Sequence, residues 1–342
     1  MKKILVIRND KLGDFMLIWP ALALLKKSLP DTEITALVPA YTAPLSGICP
    51  YIDKVIIDAK PQDKTEFQRV LNEIKEQRFN AVISFFSSWH NAKLTWRAGI
   101  PYRLAPATKL FQFLHNHRLT QRRSRSEKAE FEYNLDLARY FVIQRQAAVR
   151  EPQLPYLRLE QSAVQNQRVL LSRQLGLNPG KKWLFVHSGT GGSANNLRPE
   201  QYAQLITAIL AEFDCQIVLT AGPNESEKAH ALADLVNHPN VAVYDKNNGL
   251  VDFTHSLACA DLFMAGSTGP LHICGALNVP TIGFYPAHRS AIPRRWRPIN
   301  AAERHLAFCP PEGNKEQMKN VSNINIPQAM QSIIPFIHRQ WD

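Results

Sequence analysis

Residues 4–14 have the sequence ILVIRNDKLGD, and they decide the fold. The apolar run 4–7 is short and continuous, which is typical of a parallel strand buried on both faces. A polar turn containing Gly13 follows, and a helical pattern rich in Leu and Ala extends over residues 15–27. A strand that passes through such a turn into a helix predicts an α/β fold.

The alternation of strands and helices continues along the chain and then starts again. Further strands are predicted at residues 33–38, 54–57, 80–86, 183–187, 216–221, 241–244, 261–265 and 281–284. Helices are predicted near 42–47, 67–77, 127–143, 199–212, 225–236, 250–259, 270–277 and 327–339, with another that ends at Leu175 before Gly176. This order indicates a parallel sheet with right-handed crossovers in each half of the chain.

A segment with two prolines, Pro152 and Pro155, separates the two halves and predicts a domain boundary. We expect a first domain at residues 1–158 and a second at 159–326. A final helix at 327–342 is expected to be able to pack back on the first domain.

The bulk composition is that of a globular protein, since 45% of the residues are apolar and 20% are charged. The five cysteines include no C-x-x-C pair, which argues against a disulfide framework or a zinc site and favours a reducing cytoplasm. The run 4–7 is too short for a signal-peptide core, and no run approaches the length of a membrane span. We therefore expect a soluble, cytoplasmic protein.

Charge is the unusual bulk property, because the formal net charge is +11. Part of it is concentrated between residues 115 and 128, where one acid accompanies Arg118, Arg122, Arg123, Arg125 and Lys128. Such a cluster favours an anionic partner. Charge alone does not distinguish a nucleic acid, a phosphorylated substrate and an acidic membrane face. A solvated loop is the alternative interpretation.

Asp14 is the first candidate for a catalytic residue, because it follows a strand at the edge where parallel sheets collect ligands. Asp is also a favoured N-cap residue, and position alone favours that structural role. The neighbouring Arg8 and Lys11, and the space that Gly13 leaves for a ligand, favour a general base for a sugar hydroxyl. The turn lacks G-x-G-x-x-G, so a nicotinamide dehydrogenase has little support.

Two features of the second half predict a nucleotide site. Residues 187–193, HSGTGGS, follow a strand and can turn backbone N–H groups towards a phosphate. Glu225 opens the helix after the next strand. An acid there is either a partner of the helix dipole or a ligand of a ribose diol, and the second interpretation is slightly favoured.

Residues 266–272, GSTGPLH, give the sharpest local pattern. Pro270 suits the first turn of a helix, and Ser267 or Thr268 can cap that helix or donate to an anion. A cap explains these residue types but does not explain His272 one turn later. His272 is either a packed side chain or a contact of a bound pyrophosphate.

In these motifs the chain resembles glycosyltransferase family 9, the ADP-heptose:lipopolysaccharide heptosyltransferases. The resemblance covers nearly the whole length, and its anchors are the opening ILVIRNDKLGDF and residues 187–199, 222–227 and 260–280. It implies a GT-B fold, in which two Rossmann-like domains face each other across a cleft. It also implies inversion at the anomeric carbon by single displacement, with no tightly bound metal and no cofactor.

The resemblance implies residue roles as well. Asp14 matches the family's catalytic aspartate, and donor contacts are implied at Arg8, Gly189, Thr190, Asn196, Glu225, Ser267, Thr268, Gly269 and His272. The chain departs from the family pattern at two of these positions, since Asn196 replaces a common lysine and Ser267 replaces Asp or Asn. The first domain would bind the acceptor, through Arg118, Arg122 and Arg123.

We therefore expect an inverting transferase that moves a heptose from ADP-L-glycero-D-manno-heptose to Kdo-lipid A or a heptosylated core. Its expected partners are an ADP-sugar, an anionic lipopolysaccharide core and the cytoplasmic face of the inner membrane, and no nucleic acid. The alternatives are a GT-B transferase for another nucleotide sugar and a nucleotide-sugar epimerase or hydrolase. A basic nucleic-acid-binding protein is the non-enzymatic alternative, although no zinc-finger, KH or RRM motif is recognisable.

Overall fold

The structure is a computed structural model that describes residues 2–58, 63–191 and 195–342 of the 342-residue chain. These residues form two compact units. The first extends to Ser124 and includes Lys128–Tyr156, and the second comprises Arg125–Glu127 and Leu157–Asp342. Two residues of the predicted phosphate loop, Gly192 and Ser193, lie outside the described residues.

The first unit is a parallel sheet with helices between its strands. Its strands are β1 (Lys2–Ile7), β2 (Thr32–Val38), β3 (Lys54–Ile57), β4 (Ala81–Ser84), β5 (Tyr102–Pro106) and β6 (His117–Leu119). Its helices are α1 (Leu12–Met16), α2 (Trp19–Ser28), α3 (Ala43–Gly47), α4 (Lys64–Gln77), α5 (Trp89–Arg97) and α6 (Glu130–Gln144). The strand order is β3-β2-β1-β4-β5-β6, so the direction of winding reverses between β1 and β4.

The second unit repeats this architecture. Its strands are β7 (Lys182–His187), β8 (Cys215–Thr220), β9 (Val241–Tyr244), β10 (Leu262–Gly266), β11 (Thr281–Phe284) and β12 (His305–Phe308). Its helices are α7 (Gln161–Leu175), α8 (Pro199–Glu212), α9 (Ser226–Val236), α10 (Leu250–Leu257), α11 (Gly269–Ala276), α12 (Pro293–Trp296), α13 (Lys315–Lys319) and α14 (Ile326–Trp341). The order β12-β11-β10-β7-β8-β9 places the reversal between β7 and β10.

Both sheets thus have the Rossmann strand order, and all their neighbouring strands are parallel. The α/β prediction is confirmed, and every predicted strand is present with small shifts of its ends. Three strands were not predicted: β5, β6 and β12. β6 and β12 are short edge strands, and β5 contains Arg103 and ends at Pro106.

The first predicted helix is divided in two. α1 ends at Met16 and α2 begins at Trp19, although the sequence indicated one helix over residues 15–27. Pro20 explains the break, because proline has no N–H to donate to the carbonyl one turn earlier and suits the first turn of a new helix. The helix also starts earlier than predicted, so Asp14 lies inside its first turn and Lys11 is the N-cap.

The final helix, α14, packs in the second unit. Its buried side chains belong to the core that α8 and the strands of the second sheet share, and they include Ile333 and Phe336. The indole N–H of Trp341 donates to the carbonyl of Asp261 at 3.3 Å. The sequence left open whether this helix packs back on the first domain; its apolar face belongs to the core of the second unit.

The packing of α14 predicts the effect of shortening one buried side chain. Ile333 is fully buried, so Ile333→Ala should lower the free energy of unfolding of the second unit by about 2–5 kcal/mol. Gln331→Ala, on the exposed side of the same helix, is the matched control and should have little effect. Urea unfolding of both variants measures this, and equal stability of the two would contradict the packing.

Candidate functional site

The guanidinium of Arg8 lies at the reversal point of the first sheet. Arg8 directly follows β1, and its Nη1 donates at 3.3 Å to the carbonyl of Phe85, which directly follows β4. Its Nε donates at 2.8 Å to Asp10, and its Nη2 donates to Asp14. One side chain therefore joins two strand ends to both acids of the first loop.

Arg8 is almost completely buried, with 4% of its surface exposed. Burial disfavours the charged guanidinium, but the surrounding carboxylates of Asp10, Asp14 and Glu130 outweigh it and raise the pKa of Arg8. Burial also raises the pKa of Asp10 to about 6; Arg8 opposes this rise and the negative charge of Asp14 adds to it. The site is thus a cation held among acids in a low-dielectric environment.

Glu130 and Arg123 extend this network. Glu130, the first residue of α6, lies 3.5 Å from Nη1 of Arg8 and 2.6 Å from Nη1 of Arg123. Nη2 of Arg123 lies 3.3 Å from Oδ1 of Asn134, whose amide donates to the carbonyl of Leu17. Acids and arginines alternate here, so α6 is fixed against α1, the helix that carries Asp14.

A second polar cluster lies at the same edge of the first sheet. The side-chain amides of Asn9 and Asn91 donate to each other's oxygens at 2.8 and 2.9 Å, and Asn9 also donates to Asp58. Nε2 of His90 lies 3.0 Å from the other oxygen of Asp58. Asn9 follows β1 and Asp58 follows β3, so the ends of two strands and the start of α5 meet in this cluster.

The sequence analysis missed Asp10, Glu130 and this second cluster. Asp10, Asn9 and Asp58 had a usable signal, since each lies within three residues of the end of a strand. Glu130 had none, because an acid in the first turn of a helix is ordinarily a partner of the helix dipole.

In the second unit, Glu225 closes the loop that was predicted to bind phosphate. Its Oε1 accepts hydrogen bonds from the backbone N–H groups of Thr190 and Gly191 at 2.9 and 2.8 Å, and its Oε2 accepts one from Gly222 at 3.1 Å. Burial alone would raise the pKa of Glu225, but these bonds and His187 lower it. In this structure, the anion that these backbone N–H groups bind is the carboxylate of Glu225.

Glycine at position 189 is what lets Glu225 approach. A Cβ atom built on Gly189 would lie 2.0 Å from Oε2 of Glu225. His187 lies next to the carboxylate. Its Nε2 is 3.7 Å from the same oxygen, and its Nδ1 is 3.0 Å from the Thr220 hydroxyl. Burial lowers the pKa of His187, although the nearby carboxylate opposes this.

The turn from β10 into α11 leaves two buried polar atoms without a partner. Thr268 is the N-cap of α11, yet its hydroxyl makes no capping hydrogen bond, and His272 follows one turn later. Oγ1 of Thr268 and Nδ1 of His272 have no hydrogen-bond partner among the described residues. Burial lowers the pKa of His272 to about 4. Buried polar atoms are normally satisfied, so this pair has hydrogen-bonding capacity that the described residues do not use.

Asn196 connects the two loops of the second unit. Its amide donates at 2.8 Å to the carbonyl of Ser188, and its Oδ1 accepts from the hydroxyl of Tyr202 at 2.8 Å. A Cβ on Gly266 would lie 2.7 Å from that oxygen, so Asn196 packs against the end of β10. Ser267 and the helix start at Gly269 follow directly and are partly exposed.

The predicted site residues therefore form one group in each unit. Arg8 and Asp14 are joined in the first, and Gly189, Thr190, Asn196, Glu225, Ser267, Thr268, Gly269 and His272 line the ends of β7, β8 and β10 in the second. The three basic residues differ from one another. Arg118 and Arg122 are exposed, whereas Arg123 is paired with Glu130.

Two further properties hold throughout the part of the chain that the structure describes. None of the helices in these parts of the chain is both long and apolar enough to cross a bilayer. Residues 2–58, 63–191 and 195–342 also contain no group of three His, Cys, Asp or Glu side chains arranged to hold a metal ion.

The close approach at Gly189 predicts the effect of one added methyl group. Gly189→Ala should displace the Glu225 carboxylate and leave the N–H groups of Thr190 and Gly191 without this acceptor. The expected loss is about 1–3 kcal/mol in unfolding free energy. Gly47→Ala is the control, because nothing lies within 4 Å of the added atom. Thermal unfolding measures both; an unchanged midpoint for Gly189→Ala would show that Glu225 is not held as described.

The pKa of Asp10 predicts a pH dependence of stability. A carboxyl group with a pKa of about 6 when folded, against about 3.9 when unfolded, stabilises the fold below pH 4, and this contribution is lost as the pH rises through 6. Asp10→Asn removes the titration. The unfolding free energy of the variant, minus that of the wild type, should therefore become more positive between pH 4 and 7.

Urea titrations at several pH values measure this difference. Asp31→Asn, which removes an exposed carboxylate of the same unit, controls for the change in net charge. A difference for Asp10→Asn that stays constant with pH would contradict the raised pKa.

Comparisons with known proteins agree with this geometry. The sequence model of the family described as "Glycosyltransferase family 9 (heptosyltransferase)" matches residues 67–325. A Haemophilus influenzae protein that carries a provisional glycosyltransferase name is 64% identical over 341 residues, which is 100% of this chain and 98% of that protein. Lipopolysaccharide heptosyltransferase 1 of Campylobacter coli is 26% identical over 84% of this chain and 86% of its own.

The fold also has a solved counterpart. The structure of the Escherichia coli ADP-heptose lps heptosyltransferase II superimposes with a TM-score of 0.78 at 18% identity and covers 100% of both chains. Two Rossmann-like units and this likeness over the whole length confirm the GT-B fold class. The chain belongs to glycosyltransferase family 9, and the protein is a glycosyltransferase.

Proposed function

We propose that the protein transfers a heptose from ADP-L-glycero-D-manno-heptose to the inner core of lipopolysaccharide, on Kdo-lipid A or an already heptosylated core. Family membership supports the reaction class, and two relatives have names that specify lipopolysaccharide heptosyltransferases. The observation that carries the proposal is the Asp14 carboxylate, which Arg8 orients at the reversal point of the first sheet while 15% of the side chain remains exposed.

In the proposed mechanism Asp14 is the general base. It takes the proton from an acceptor hydroxyl as that oxygen attacks the anomeric carbon of the donor. The bond from that carbon to the diphosphate oxygen breaks, ADP leaves with the bonding electrons, and the configuration inverts. The contacts of Arg8 favour a positioning role for this residue over a direct contact with the donor, because its donors are directed at Asp10, Asp14 and Phe85.

The donor would occupy the second unit. Thr268, Gly269 and His272 are proposed to bind the diphosphate, because two of their polar atoms are buried and have no partner among the described residues. Glu225 is proposed to bind the ribose, since a carboxylate has about four acceptor positions and three are used by backbone N–H groups. Fixed dipoles and hydrogen-bond donors would stabilise the departing diphosphate.

The remaining donor contacts follow from the same loops. Gly189 and Thr190 keep Glu225 in place, and Asn196 and Ser267 lie beside the turn into α11. A transferase for another nucleotide sugar is the second candidate function. It is favoured by the serine at 267, because a short hydroxyl side chain and a carboxylate make different hydrogen bonds to a sugar.

The acceptor would bind the first unit, at the cytoplasmic face of the inner membrane. Arg118 and Arg122 are proposed to contact its phosphates and carboxylates, because both are exposed. Arg123 is less suited to this role than we expected from the sequence, since its ion pair with Glu130 supports the Arg8 network.

A panel of donors and acceptors tests this function. ADP-, UDP- and GDP-sugars are incubated with Kdo-lipid A, with a heptosylated core, and with no acceptor. Transfer to an acceptor from ADP-heptose, and from none of the other nucleotide sugars, supports the proposal. Transfer from a different nucleotide sugar supports the second candidate. Rapid consumption of donor without acceptor would indicate an epimerase or hydrolase, and salt-dependent retention of RNA or DNA without turnover would indicate a nucleic-acid-binding protein.

Loss of the proposed base predicts a specific kinetic defect. Asp14→Asn should lower kcat by about 10²–10⁴-fold, because proton abstraction is lost while the donor site of the second unit is untouched. ADP binding, measured by calorimetry, should be unchanged, and Asp31→Asn is the control for charge. A variant that retains near-normal turnover would remove Asp14 as the base.

A further inference from the structure

Four large apolar side chains of the first unit are exposed on two neighbouring segments. Leu110 is 94% exposed, Phe113 67%, Trp89 55% and Trp96 53%. Trp89 and Trp96 belong to α5, and Leu110 and Phe113 belong to the 3₁₀ helix Leu110–Leu114. We call these four residues the aromatic patch. Nothing in the proposed transfer reaction uses them.

The two tryptophans lie on one face of α5. Trp89, Lys93 and Trp96 are spaced by four and three residues, which places them in one stripe along the helix. The opposite side is fully buried and includes Asn91, of the polar cluster, and Leu94. α5 therefore has a buried side at the site and an exposed side with two indoles.

The 3₁₀ helix adds two protruding side chains to the same surface. Residues three apart eclipse each other in a 3₁₀ helix, so Leu110 and Phe113 project from the same side. The ring of Phe111 lies 6.4 Å from that of Trp89 in an edge-to-face contact, which connects the two segments. Nζ of Lys109 lies 5.8 Å from the centre of the Phe111 ring, so a cation borders the patch.

The sequence segment that carries the patch has one sign of charge. The 50 residues from 77 to 126 contain no Asp or Glu, although a chain with 29 acids in 342 residues would have about four in such a length. The same stretch has nine basic residues: Arg78, Lys93, Arg97, Arg103, Lys109, Arg118, Arg122, Arg123 and Arg125. Exposed indoles and protruding apolar side chains, on a segment that carries cations and no acids, complement an anionic bilayer.

We propose that the aromatic patch docks the protein on an anionic lipid surface. Leu110 and Phe113 enter the boundary between headgroups and acyl chains, the indoles of Trp89 and Trp96 lie at headgroup level, and Lys93, Arg97 and Lys109 pair with lipid phosphates. A lipid surface fits better than a protein partner, because the apolar side chains protrude singly from a turn and a helix and are flanked by cations.

The purpose of this docking rests on the proposed lipid-linked acceptor, but the docking itself needs neither donor nor acceptor. α5 contributes Asn91 and His90 to the polar cluster at the edge of the sheet. A bilayer held against its other side would therefore bring lipid-anchored sugars to the unit that carries Asp14.

Vesicle sedimentation tests the proposal with the full-length protein. Vesicles of phosphatidylglycerol and phosphatidylcholine in equal parts should bind the wild type at least tenfold more tightly than vesicles of phosphatidylcholine alone, and salt should weaken this binding. Leu110→Glu/Phe113→Glu should reduce binding at least tenfold. The uncharged Leu110→Ser/Phe113→Ser should also reduce it, which separates loss of insertion from charge repulsion.

Leu170→Glu/Leu235→Glu is the matched control, because these leucines are 53% and 50% exposed in the second unit. The control should bind vesicles like the wild type, and circular dichroism should show that all variants are folded. Equal binding to neutral and anionic vesicles, no binding by the wild type, or equal losses in the patch and control variants would overturn the proposal. Full vesicle binding by the patch variants would do the same, because another surface would then hold the lipid.

The outcome is separable from that of the proposed function. With a water-soluble core oligosaccharide as acceptor, the patch variants should transfer sugar at the rate of the wild type, because none of the four residues touches the Arg8 network. Failure of vesicle binding with intact transfer would reject only the docking surface, and intact vesicle binding without transfer would reject only the reaction.

Discussion

A buried positive charge organises the first unit. A guanidinium with 4% exposure cannot keep its hydration, so its cost is offset only by anionic and carbonyl partners at short range. Asp10, Asp14 and Glu130 supply those charges, and Phe85 supplies the carbonyl. The position of the proposed base is thus a consequence of where Arg8 must be satisfied, and Glu130 in turn ties α6 to the same point.

The second unit also holds one buried ionised side chain, and its charge is negative. There the buried charge is the carboxylate of Glu225, and backbone N–H groups from two loops satisfy it. Only a glycine at 189 leaves room for this, since a side chain would occupy the position of the carboxylate oxygen. Each sheet therefore uses the loops at or beside its reversal point to hold one ionised side chain with little solvent contact.

The sequence predicted what is local and missed what depends on distant partners. Continuous apolar runs identified the buried strands, and the loops after β1, β7 and β10 were recognised because polar and glycine residues follow such runs. The pairing of Asn9 with Asn91 joins residues 82 positions apart, and no pattern within one segment signals it. Glu130 was missed because its pairing with Arg8 also joins distant positions, and Pro20 was overlooked because the residues around it have good helical spacing.

The buried imidazoles of the second unit bear on how a product would leave. Burial lowers the pKa of His272 to about 4 and that of His305 to about 3, so both rings are neutral at physiological pH. A neutral ring can form a hydrogen bond with a diphosphate, but it adds no attraction between opposite charges. A lysine or arginine in the same place would hold the spent nucleotide by charge and slow its escape. Under the proposed function, histidine at position 272 would therefore favour release of the spent nucleotide over its tight retention.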